Sequence, residues 1–137
     1  MKKNKKKWTL QNSYLNLPNC FYERIEPTSV QNPKLIYFNK NLAEELDLEF
    51  LNHDLSLATN YFSGNKLPEN SEPIAQAYAG HQFGHFTMLG DGRAILLGEQ
   101  KDLNNKLYDI QLKGSGKTSF SRGGDGRATL SLSLIHI

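Results

Sequence analysis

Short apolar runs alternate with polar breaks along the first half of the chain. Leu35-Ile36-Tyr37-Phe38 is a compact apolar and aromatic run that predicts a strand. Leu42, Leu46 and Phe50 recur at helical spacing with Glu44 and Glu45 on the opposite side, so the pattern predicts a helix over 42–50 capped by Asn39 or Asn41. A second short helix is expected over 54–62 and ended by Gly64, followed by a polar, proline-containing loop over 66–73.

From Ile74 onward the composition changes to alanine, glycine, histidine and aromatics with few charges. Ala94-Ile95-Leu96-Leu97 reads as a buried strand entered from a glycine turn, and Asn104-Asn105 as a turn leading into a partner strand over 107–113. In that strand Tyr108, Ile110 and Leu112 share one face. Asp109, Gln111 and Lys113 share the other, which directs Lys113 away from the core. A glycine- and serine-rich loop is expected over 114–126, with a helix beginning at Ala128. The pattern is that of a mixed α/β (α+β) chain with short N-terminal helices and an antiparallel hairpin. It divides into an entry segment (1–73), a glycine-rich segment (74–131) and a tail (132–137). The tail, Leu132 to Ile137, resembles the in-frame translation of a sequencing adapter and is expected to be non-native, the natural chain continuing past Ser131.

Charge sharpens the picture. The 137 residues carry a formal net charge of +2, with 38% hydrophobic and 22% charged residues, which places the chain among globular proteins. Five lysines precede Trp8. From Trp8 to Gly80 acidic residues outnumber basic ones nine to four, whereas from Gly90 to Ser131 seven basic residues face five acidic ones. The glycine-rich end is thus the basic part, as an anionic ligand requires. The lysine run has no interleaved aromatics and no second basic stripe, so it reads as a solvated terminus rather than a nucleic-acid contact. No membrane segment is expected. The single Cys20 points to a reducing, cytoplasmic setting.

Two copies of one pentapeptide carry the chemistry. Gly90-Asp91-Gly92-Arg93-Ala94 and Gly124-Asp125-Gly126-Arg127-Ala128 bracket Lys113. Glycines admit a phosphate close to the backbone, and arginine and lysine hold its charge. A glycine turn entering one strand, paired with a second strand ending in lysine, is also the layout of a kinase small lobe. Gly114-Ser115-Gly116-Lys117-Thr118 imitates a P-loop, but Gln111 stands where that motif needs its first glycine, and the residues after Thr118 are poor helix formers. His81 and His85 are four apart. Gly80 and Gly84 disfavour the helix that would align them on a metal, so they are expected to order a turn.

These segments together resemble the selenoprotein O family, also called YdiU. The runs are Ala77-Tyr78-Ala79-Gly80-His81-Gln82-Phe83-Gly84, Leu89-Gly90-Asp91-Gly92-Arg93-Ala94, Leu97-Gly98-Glu99, Gln111 to Thr118 and Phe120 to Leu130. The resemblance implies a protein-kinase-like fold, here a small lobe truncated before its large lobe, and a protein adenylyltransferase that binds ATP in reverse and transfers AMP to Ser, Thr or Tyr hydroxyls of protein substrates. It implies ATP contacts at Gly90, Gly92, Arg93, Lys113, Asp125 and Gly126. It places the catalytic aspartate and the Mg²⁺ (or Mn²⁺) ligands beyond Ser131, so no catalytic or metal residue is expected here and the chain alone is expected to be inactive. Ser119 departs from the family's usual proline. An ATP-binding pseudokinase or a phosphoryl-transferring kinase would use the same glycine turns and lysine.

Overall fold

The computed structural model describes residues 7–82 and 84–129. Five strands, β1 (Tyr22–Arg24), β2 (Ile74–Gln82), β3 (His85–Gly90), β4 (Ala94–Lys101) and β5 (Leu107–Lys113), form an antiparallel sheet in the order β1-β2-β4-β5, with β3 paired to the outer part of β2. Two helices, α1 (Lys40–Glu45) and α2 (Leu55–Phe62), and three short 3₁₀ turns complete the fold. This mixed α/β arrangement, few helices beside an antiparallel sheet, is compatible with a kinase-like small lobe.

The helices depart from the predicted bounds for a local reason. Asn39 is the cap of α1, its Oδ1 accepting from the Leu42 amide at 3.1 Å. The helix does not run on to Phe50. Asp47 adopts φ +58°, and the Leu48 amide reaches back to the Ala43 carbonyl at 2.7 Å, which closes the helix. The chain resumes as a 3₁₀ turn over Glu49–His53. That break lets Leu46, Leu48 and Leu51 all turn inward. Helix α2 begins as expected: Asp54 accepts from the Leu57 amide at 3.0 Å, and Gly64 follows its end at φ +83°.

The strand expected over Leu35-Ile36-Tyr37-Phe38 does not form. The segment has no ladder partner, with Ile36 87% and Tyr37 79% exposed, while Phe38 packs against the core. β-propensity describes a fit to a neighbouring strand, and this segment pairs with none.

The core gathers around Trp8, which is 2% exposed and meets Tyr61 edge to face at 5.5 Å between ring centres. Leu10, Ala43, Leu46, Leu48, Leu51, Ala58 and Tyr61 complete this cluster, and Ile110 of β5 packs on it. The entry segment is joined to the sheet by reciprocal backbone hydrogen bonds between Gln11 and Glu99, at 2.9 and 2.8 Å. They run beside Gly98 (φ +140°), where a side chain would strike the Gln11 carbonyl. A bulge between Leu96 and Gly98 turns Leu96 and Leu97 both into the interior. Beyond it the register restores the alternation predicted for β5, with Leu112 buried and Lys113 exposed.

Candidate functional site

The ladder of β4 and β5 sets the centre of the basic region. Ala94 pairs with Lys113, and the next amide, that of Gly114, donates to the Arg93 carbonyl at 2.6 Å. Arg93 therefore stands just before β4, one residue from Ala94, the partner of Lys113. Arg93 and Lys113 are both exposed.

The first glycine turn leaves β3 at Gly90 and enters β4 at Ala94. The Asp91 amide donates to the Gln76 carbonyl at 2.9 Å, holding the turn against β2. The Asp91 carboxyl is partly buried. Burial pushes its pKa above the usual carboxylate value, opposed by a backbone hydrogen bond with Gln76. Its Oδ2 is buried without a protein partner.

The loop after β5 folds back over this turn. The Phe120 ring occupies the space that a side chain at Gly90 would need, and the Phe120 carbonyl lies 2.7 Å from where a Cβ on Gly92 would stand. The Thr118 hydroxyl donates to the Asp91 carbonyl at 2.6 Å, and the Ser121 hydroxyl to the Gly92 carbonyl at 2.7 Å. From behind, the Thr28 amide donates to the Ser115 carbonyl at 2.8 Å, and the Ser119 amide to Glu23 of β1 at 3.0 Å.

The second pentapeptide closes the loop. Gly116 donates to the Gly126 carbonyl at 3.3 Å, and Gly126 (φ +70°) sits flush against the Gly116 backbone with no room for a side chain. A Cβ on Gly114 (φ +82°) would lie 2.7 Å from the Ala128 nitrogen. Asp125 is exposed, and its Oδ1 accepts from the Arg127 amide at 2.9 Å in a local turn. The Arg127 guanidinium reaches the Gly114 carbonyl at 3.4 Å.

All six predicted positions thus gather on one end of the sheet, in two groups. Gly90, Gly92, Arg93 and Lys113 belong to the β3–β4 turn and the adjoining strand ends. Asp125 and Gly126 close the overlying loop, and Gly126 is buried in backbone contact. Three residues that hold the overlying loop to the first turn, Thr118, Phe120 and Ser121, lie in runs singled out in the sequence, but their residue types alone assign them no site role. The signal available was the cluster of hydroxyl residues inside a glycine-rich loop, where such side chains commonly satisfy backbone groups.

The donor set fits a polyanion. Among the described residues the ion pairs are Lys7–Glu69 and Arg24–Glu72, so Arg93, Lys113, Lys117 and Arg122 are exposed and free of carboxylate partners. It does not fit a divalent metal: no group of three or more His, Cys, Asp or Glu side chains converges among the described residues. His81 and His85 flank the β2–β3 turn, with the His81 ring edge-on to Phe86 at 6.0 Å, in keeping with the expected structural role.

A profile of the family described as Protein adenylyltransferase SelO matches residues 5–135. The chain belongs to the SelO family. It is 58% identical over 123 residues to a protein nucleotidyltransferase YdiU of Pelagibacter ubique, an overlap covering 90% of this chain and 26% of that protein. It is 60% identical over 125 residues to the protein nucleotidyltransferase YdiU of Clostridium perfringens, covering 90% and 25%. A third such relative, from Anoxybacillus flavithermus, is 58% identical over 125 residues, covering 90% and 26%. The chain spans about a quarter of the length of the curated relatives it matches. Both glycine turns and Lys113 lie inside the SelO match.

Proposed function

We propose that this chain forms the phosphate-holding part of a protein adenylyltransferase, which moves AMP from ATP to Ser, Thr or Tyr hydroxyls of other proteins. The observation that carries the reading is the placement of Lys113 opposite Ala94, one residue along from Arg93, with the first glycine turn tied to the loop that follows Lys113. In adenylyl transfer the acceptor hydroxyl gives up its proton to solvent, its oxygen bonds to the α-phosphorus, the bond from that phosphorus to the oxygen bridging to the β-phosphate breaks, and pyrophosphate departs. Arg93 and Lys113 would hold the β- and γ-phosphates and balance the charge that grows on the departing group. Gly90 and Gly92 keep the turn narrow, and Gly126 keeps the second turn closed against the loop. Asp125 orders that second turn.

A divalent ion bound by the intact protein would supply further charge compensation. Among the described residues no group of three or more His, Cys, Asp or Glu side chains gathers to hold one. A cytoplasmic setting agrees with the lone, exposed and unpaired Cys20. No helix among the described residues is long and apolar enough to cross a membrane.

The test uses a protein spanning the full length of the relatives, incubated with ATP and a protein acceptor and read by mass spectrometry. A gain of AMP on an acceptor hydroxyl supports the proposal. A gain of phosphate makes the protein a kinase, and nucleotide binding without either product makes it a pseudokinase. The 137-residue chain by itself is expected to incorporate no label, since among its described residues no group of three or more His, Cys, Asp or Glu side chains gathers to hold a metal.

A further inference from the structure

We propose that Thr118 and Ser121 are positioning residues that set the first glycine turn in its anion-receiving orientation. This rests on the phosphate-site reading above. Carbonyl oxygens can only accept hydrogen bonds, so the two hydroxyls facing Asp91 and Gly92 must be the donors, at 2.6 and 2.7 Å. Each hydroxyl is engaged at its other end as well. Thr118 Oγ1 accepts from the Phe120 amide at 3.2 Å, and Ser121 Oγ accepts from the Thr118 amide at 2.9 Å. Neither hydroxyl is free to rotate without breaking a bond.

The consequence is electrostatic. An anion site built from a turn needs the peptide N–H groups outward and the carbonyl dipoles turned away. Two consecutive carbonyls in the first turn, those of Asp91 and Gly92, are drawn under the loop by these hydroxyls. The loop that supplies them follows directly on Lys113, the last residue of β5, so one pair of hydroxyls ties the turn to the segment that leaves the strand-end lysine. Thr118 is buried and Ser121 half-buried, which shields both bonds from water.

Calorimetric titration of a protein spanning the full length of the relatives, with ATP and with inorganic tripolyphosphate, tests this. Thr118→Val keeps the shape and removes the hydroxyl, Ser121→Ala removes the second, and Thr118→Ser restores the first. Ser119→Ala, an exposed neighbour whose hydroxyl makes no such bond, is the control. Thr118→Val and Ser121→Ala are expected to bind both ligands roughly five- to tenfold more weakly. Thr118→Ser and Ser119→Ala should stay within about twofold of the parent. Amide exchange at Gly92 and Arg93 should accelerate in the two weak binders only.

If folded Thr118→Val and Ser121→Ala bind as tightly as the parent, the positioning role is wrong while the phosphate site stands. A loss of melting temperature with unchanged affinity counts the same way, reducing both hydroxyls to structural glue. If Thr118→Val does not fold, Ser121→Ala decides the matter. If the parent chain binds neither ligand, the phosphate-site reading fails and takes this role with it.

Discussion

The ring of Phe120 fills the volume that a side chain on Gly90 would occupy. Thirty positions apart in sequence, these two residues form the contact by which the loop after β5 seats itself on the turn before β4. The glycine is needed there less for its backbone freedom than for its lack of a Cβ.

Gly90→Ala is expected to push the ring off the turn and destabilise the chain by about 1–3 kcal/mol, the usual range for an overpacked contact. Denaturant titration measures it. Because the two residues touch, Phe120→Ala should absorb part of that cost, so the double variant should be more stable than the two single effects added together. Strict additivity would show that the contact is not made.

Lys113 is exposed and ends its strand on the polar face, so Lys113→Gln should change stability by no more than about 0.5 kcal/mol. Binding should respond differently. Losing a charge-assisted contact weakens polyphosphate affinity by about 1.5–3 kcal/mol, or ten- to a hundredfold. The effect should shrink as salt is raised. Titrations at two ionic strengths check both expectations, and equal affinity in parent and variant would remove Lys113 from the site.

Asp91 makes stability depend on pH in a definite direction. Burial holds its carboxyl above the ordinary 3.8. The folded chain therefore keeps this proton to a higher pH than the unfolded chain does. Its contribution is most favourable below 3.8 and is lost as pH rises from there through the folded value. Asp91→Asn abolishes that dependence. The variant should gain on the parent as pH climbs from about 3 to about 7. Unfolding curves across that range test the sign, and a difference that runs the other way refutes it.

Gln100 is wholly buried and ties the entry segment to the sheet. Its side chain accepts from the Thr9 amide at 3.2 Å and donates to the Leu46 carbonyl at 3.0 Å. Gln100→Leu would leave both backbone groups without partners, at about 1–3 kcal/mol for each group left unsatisfied. Thermal unfolding of the variant should show the loss, and an unchanged melting temperature would mean that water replaces the amide.

Some of this fold is written locally. Asp54 and Gly64 mark the ends of the second helix because capping and left-handed closure involve residues only a few positions apart. The alternation in β5 likewise assigned Leu112 to the core and Lys113 to the surface without knowledge of any partner. The first helix was read too long because its break at Asp47 depends on where Leu48 and Leu51 must go, and that is decided by Trp8 and Tyr61 from distant parts of the chain. The tail over 132–137 and most of the expected final helix lie outside the described residues.

By itself the sequence determined the chemistry on offer: two glycine turns, a lysine closing a strand, and an excess of basic over acidic residues from Gly90 to Ser131. Those are properties of residue type and short spacing. Only the tertiary structure decided that Leu35 to Phe38 is not a strand, that Gly126 is buried against Gly116, and that the hydroxyls of Thr118 and Ser121 bind the loop after β5 to the first glycine turn. A strand needs an edge to pair with, and a hydroxyl shows its role only when the carbonyl it serves, more than twenty-five residues away in the chain, has been brought beside it.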